Sequence, residues 1–161
     1  MSLERPVRRM EFRVFQHATE DPEKVRSALL AVSGGGEVRS SRAEGYHGNP
    51  IVILETTIGN RAELESFWQR VREAGLCPGL AANLEERIDG SGELFVRFDK
   101  QEAVGGRLAL SAGDDVVQAR GRVMRVSSGQ EVRADRDTAI AVMRQFLDRP
   151  GQGGDGKFNN Q

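Results

Sequence analysis

The sequence predicts an α+β fold, an antiparallel or mixed sheet with helices packed mainly on one face, and three observations predict it. Apolar residues alternate at a period of two from Met10 to His17 and again over Leu94, Val96 and Phe98, as in half-buried strands. Leu64, Phe67, Trp68 and Val71 make one apolar stripe at helical spacing, behind a capping box of Asn60 and Glu63. The elements follow the order β-α-β-β-α-β-β-β-α, with the second and third strands joined as a hairpin.

Taken in order, the first strand runs from Met10 to His17. Thr19 and Asp21 are candidate N-caps before Pro22, and Val25, Ala28, Leu29 and Val32 line a helix that Gly34 to Gly36 stop. Glu37 to Ala43 is a polar second strand, Gly45 to Pro50 a loop, and Ile51 to Ile58 an apolar, β-branched third strand. The second helix closes at Gly75. Cys77 to Gly79 then reads as a turn, Leu80 to Ile88 as a short helix, and Leu94 to Asp99 as the fourth strand. Lys100 to Gly106 is a turn-rich connection, Arg107 to Ser111 a short strand, and Gly113-Asp114-Asp115 a turn. Val116 to Val126 is a single long strand, exposed enough to pair edge to edge in a homodimer. Asp135 caps a last helix through Leu147, with Ala139, Ile140, Met143, Phe146 and Leu147 inward.

Composition bounds the function. The chain has 161 residues, 38% apolar and 29% charged, which predicts one domain over residues 1–147. Residues 148–161 are glycine-rich and nearly free of apolar side chains, so a disordered tail is expected there. No apolar run is long enough for a membrane span and the N-terminus is charged, which predicts a soluble, cytoplasmic protein with no membrane partner. One cysteine, Cys77, excludes an internal disulfide and a cysteine metal site. A net charge of −1 gives no global pull toward polyanions, so any nucleic-acid site must be a local patch.

The patch is looked for on the face of the sheet that the helices leave open. There the first strand presents Arg13, Phe15 and His17, and the fourth presents Phe95, Arg97 and Asp99. Alternating cations and aromatics suit a single-stranded nucleic acid, whose bases stack on rings while Arg meets phosphate. The competing readings are a protein–protein interface and a sheet covered on both faces. Arg120, Arg122 and Arg125 either line one rim of a groove or form a solvated surface.

Catalysis has little to stand on. His17, His47 and Lys100 could in principle cleave RNA without a metal, two imidazoles serving as acid and base and the ammonium stabilising the phosphorane. The bland alternative is that His17 bonds backbone and His47 orders a loop. No nucleophile elbow, HExxH or paired-carboxylate motif is present, and Gly34 to Gly36 follow a helix, which is the wrong context for a phosphate loop. Neither a metal nor a cofactor is expected, and the protein is read as not an enzyme.

Three stretches then carry a resemblance: HATEDPEKVRSAL at 17–29, EGYHGNPIVILE at 44–55 and LEERIDGSGELFVRFDKQEAVGGRLAL at 84–110. Together they resemble an archaeal family of predicted RNA-binding, exosome-associated proteins, whose members are similar in fold to the ribosomal protein that binds 5S rRNA. The resemblance runs over about residues 9–147. It implies an archaeal, cytoplasmic α+β protein acting near RNA processing, RNA degradation or the ribosome, and no known enzyme activity. Together with the alternating aromatic and basic face it predicts a noncatalytic accessory with RNA and exosome or ribosome components as partners. The resemblance points to His17, Thr19, Glu20 and Asp21, to Glu44, Gly45, His47, Gly48, Asn49 and Pro50, and to Arg97, Phe98, Asp99, Lys100 and Gln101, without giving them roles. The candidate RNA contacts are therefore Arg13, Phe15, His17, His47, Asn49, Phe95, Arg97, Lys100, Arg120 and Arg122. If the first and fourth strands are neighbours, His17, Asp99 and Lys100 cluster at one end of the sheet.

Overall fold

The alternating run near the N-terminus forms strand β1 (Met10–Gln16) at the centre of a five-stranded sheet. A computed structural model describes residues 5–45 and 48–149 of the chain. Strands β2 (Arg39–Glu44) and β3 (Pro50–Ile58) form the expected hairpin. With β4 (Glu93–Asp99) and β5 (Val116–Arg122) they give the order β2-β3-β1-β5-β4, every neighbouring pair antiparallel. Because side chains alternate across a strand, register sorts them into rows. Leu54, Val14, Val117 and Phe98 align on one face, as do Thr56, Phe12, Ala119 and Val96 in the next row, and all eight are buried.

The helices cover that face. Helix α1 (Pro22–Ser33) begins at Asp21, whose carboxylate accepts from the Glu23 N–H at 3.0 Å, and ends at Gly34 in the left-handed conformation. It has no cation of its own in the last turn. Arg70 of helix α2 (Arg61–Glu73) supplies one, donating to the Ala31 and Val32 carbonyls at 2.8 and 3.1 Å. The predicted capping box is present, Asn60 accepting from the Glu63 N–H at 2.8 Å. Phe67 of α2 sets its ring edge-on to Phe12 and Phe98, at centroid distances of 5.3 and 6.1 Å, which seats the helix over the β1-β5-β4 side of the sheet. Helix α6 (Arg136–Leu147), capped by Asp135, brings Phe146 against Trp68 at 5.2 Å.

Several expectations are corrected. Cys77 to Gly79 is the first turn of helix α3 (Cys77–Ala82), with Pro78 in its opening turn, and the short helix expected over Leu80 to Ile88 splits into α3 and α4 (Leu84–Arg87). Lys100 to Gly106 holds helix α5 (Lys100–Val104), because the Asp99 carboxylate accepts from the Glu102 N–H at 3.0 Å and caps it. Arg107 to Ser111 is not a strand. It makes one isolated bridge, Leu110 to Phe98, with flanking bonds from Asp99 N–H to Ala109 O and Ser111 N–H to Arg97 O, and so shields the outer edge of β4. The run from Val116 to Val126 breaks at Val123, where the chain changes partners: Val123 bridges Val7, and β6 (Met124–Ser127) pairs with β7 (Gln130–Arg133) in a separate two-stranded sheet. Since β5 lies between β1 and β4, it offers no edge for a dimer. At the C-terminus, Asp148 closes α6 and the Arg149 guanidinium lies over the Phe146 ring at 5.5 Å, while residues 150–161, most of the expected tail, lie outside the described residues.

Candidate nucleic-acid interface

On the uncovered face the same register builds a polar surface. One row reads Arg39, Glu55, Arg13, Gln118 and Arg97 across all five strands, and the next holds Thr57, Glu11, Arg120 and Phe95. Opposite charges fall on adjacent strands and pair: Arg13 with Glu55 at 2.7 Å, Arg120 with Glu11 at 2.8 Å. Hydrogen bonding to Glu11 pushes the Arg120 pKa further up. These pairs are solvated, and exposed pairs contribute little to stability. A groove of about 220 Å³ runs between them, lined by Arg13, Arg39, Phe95 and Arg120 among others. Arg39 is absent from the sequence-based candidates. Its only signal is a register opposite Glu55 that the hairpin decides.

Phe15 is 44% exposed beside Ile53, and Phe95 is half-buried beside Arg120. The two rings share the face but stand two rows and two strands apart, roughly 17 Å from strand spacings. They would therefore take separate bases of one strand, with Arg13, Gln118 and Arg97 between them. Arg97 is exposed and donates to the Gly113 carbonyl at 3.4 Å. Arg122 is half-buried and donates to the Ser91 carbonyl at 2.9 Å, while Arg125 is carried away from it on β6.

The motifs at 17–21 and 97–101 do meet at one end of the sheet, but through other atoms than His17 and Asp99. Strand β5 separates β1 from β4, and the Asp99 carboxylate is occupied in capping α5. The connection is Lys100, only 2% exposed. Its ammonium donates to the Phe15 carbonyl at 3.0 Å and to both oxygens of Glu20 at 3.1 and 2.9 Å, and it pairs with Asp115 at 2.8 Å. Glu20 also accepts from the His17 N–H at 2.9 Å, and Gln101 donates to Asp115 at 3.0 Å. The Lys100 ammonium, helped by Gln101, holds the Asp115 carboxyl below the usual carboxylate range. Lys100 is thus a buried strut tying β1, the turn before α1 and the turn before β5, with no surface to offer RNA.

His17 itself is exposed and lines a cleft of about 520 Å³ with Thr19, Gly45, Asn49, Pro50 and Ile51. His47 lies outside the described residues. Among the described residues, no three His, Cys, Asp or Glu side chains gather as a metal site, and no helix is long and apolar enough to cross a membrane. Cys77 is half-buried, and burial pushes its thiol pKa up, away from reactive thiolate chemistry.

Comparison with known proteins follows the same residues. The model of a family described as RNA binding matches residues 9–123. An RNA-binding protein of Pyrococcus abyssi is 35% identical over 150 residues, which cover 86% of this chain and 92% of that protein. The solved structure of a DUF54 protein from Methanothermobacter thermautotrophicus superposes with a TM-score of 0.75 at 31% identity, over 88% of this chain and 98% of that one.

Proposed function

The chain belongs to this RNA-binding family, and we propose that it is a noncatalytic, cytoplasmic accessory protein that takes RNA on the open face of its sheet. Its setting in this reading is archaeal RNA processing, exosome-linked degradation or a ribosome-associated step, with components of those assemblies as neighbours. The observation that carries the contact surface is the uncovered face itself: Phe15 and Phe95 stand clear of the helices with Arg13, Arg39, Arg97 and Arg120 around them. Rings supply sequence-tolerant stacking and guanidinium groups supply phosphate contacts. The noncatalytic reading is supported by Lys100, whose ammonium is enclosed by protein oxygens and cannot face a phosphorane.

Electrophoretic shifts of structured and single-stranded RNA at two salt concentrations test it. Binding that weakens with salt and falls with Phe15→Ala and Phe95→Ala is expected, without cleavage of the RNA. No shift even at low salt, together with partners that survive nuclease treatment in a pull-down, would replace this reading with a protein adaptor using the same face.

A further inference from the structure

A second cleft, of about 300 Å³, lies where the five-stranded sheet meets the β6–β7 hairpin. Arg8, Arg9, Arg120, Arg122 and Arg133 line it, against the carboxylates of Glu11 and Glu93. Tertiary structure alone assembles these cations. The segment before β1 is held down by the Met124 N–H to Pro6 carbonyl bond of 2.8 Å and the Val7 to Val123 bridge, which brings Arg8 and Arg9 beside β5, and the hairpin register places Arg133 opposite Met124.

Not all the charge is spent. Arg8 pairs with Glu131 at 2.6 Å, Arg120 with Glu11 at 2.8 Å, and Arg122 donates to a backbone carbonyl. Arg9, its side chain 67% exposed, reaches only to 3.9 Å from Glu11, a carboxylate already serving Arg120. Arg133 is exposed and has no charged partner among the described residues. A concave surface with surplus guanidinium groups attracts polyanions. The groups come from three separate segments, Arg8 and Arg9 before β1, Arg120 and Arg122 on β5 and Arg133 on β7, which suits a chain of phosphates better than a single one. Glu11 and Arg120 also line the groove beside Phe95, so the two depressions adjoin at the Glu11–Arg120 pair.

We infer that this arginine cleft seats the phosphodiester backbone of the RNA strand whose bases reach Phe95 and Phe15. The inference rests on the RNA-binding reading of the open face and adds a backbone path that leads off it toward the hairpin. It makes Arg9 and Arg133 the unspent phosphate contacts.

The test is fluorescence anisotropy of a labelled single-stranded RNA across a salt series. Four proteins are compared: the parent, Arg9→Gln with Arg133→Gln, Arg9→Lys with Arg133→Lys, and Phe15→Ala with Phe95→Ala. Each phosphate contact on a single strand adds roughly 0.7 to the slope of log affinity against log salt, so the Gln pair should flatten it by about 1.4. The Lys pair should keep the slope, and the Phe pair should weaken binding with the slope unchanged. Both arginines are exposed, so melting temperatures of the Gln pair should match the parent. An unchanged slope in the Gln pair while the Phe pair still weakens binding would overturn the cleft and leave the open face standing. A parent that binds no RNA would remove both.

Discussion

The two faces of the sheet are made by the same strands and differ in everything else. On β1, Met10, Phe12 and Val14 are buried under helices, while Glu11, Arg13 and Phe15 face outward in ion pairs or bare. The covered face is buried, and its rings interlock through Phe67. The open face balances its charges strand against strand and keeps its two aromatic rings apart. A period of two thus lets one segment hold the fold with every second residue and meet a ligand with the rest. Substitutions on the two faces should consequently separate stability from binding.

The largest effect is expected on the covered face. Phe67→Ala removes the ring that joins α2 to β1 and β4, and urea unfolding should show a loss of about 3–5 kcal/mol. The RNA affinity of the protein that remains folded should be unchanged.

Lys100→Met tests a contact between the faces, since the ammonium holds the Phe15 carbonyl from the buried side. The loss should fall below the roughly 3–5 kcal/mol of a fully buried pair, because the side chains of Glu20 and Asp115 are 21% and 55% exposed and can rehydrate. Its pH dependence is diagnostic. The Asp115 carboxyl is depressed in the folded chain, so its contribution is present above the unfolded value of about 3.9 and is lost as the pH falls below it. Acid unfolding curves should therefore be shallower in Lys100→Met than in the parent. Equal steepness would show that Asp115 draws nothing from Lys100.

On the open face, Phe95→Ala and Phe15→Ala should each weaken RNA binding by about 1–3 kcal/mol in titrations. Their melting temperatures should move far less than that of Phe67→Ala. The smallest effect belongs to Glu55→Gln. It frees Arg13 from its pair, should change stability by less than about 1 kcal/mol, and should tighten RNA binding while steepening the salt slope by roughly 0.7. Weaker binding would mean that the carboxylate positions Arg13 instead of competing for it.

Legibility in the sequence divides along the same line. The caps at Asp21, Asn60 and Asp135, the stripe of α2 and the alternation of β1 and β4 are local patterns, and each appears where its spacing puts it. Asp99 capping α5 was equally local, but the short run behind it reads as turn. What stayed hidden depends on partners. Val116 to Val126 is uniformly strand-like, and only the docking of Val7 and β7 breaks it at Val123. His17 and Asp99 look matched in sequence, yet β5 stands between their strands and Lys100 takes the central position.

By itself the sequence determined which residues of β1, β4 and α2 face the core and which face water, because side-chain direction follows from backbone period and needs no distant contact. It also determined that the chain carries no net attraction for polyanions, since −1 is a sum over residues and independent of fold. Only the tertiary structure decided where the charges meet. Strand order and register pair Arg13 with Glu55 and Arg120 with Glu11, bury Lys100 among carboxylates, and draw Arg9 and Arg133 into one cleft from opposite ends of the chain. Electrostatic interaction depends on separation in space, and separation along the chain carries almost no information about it.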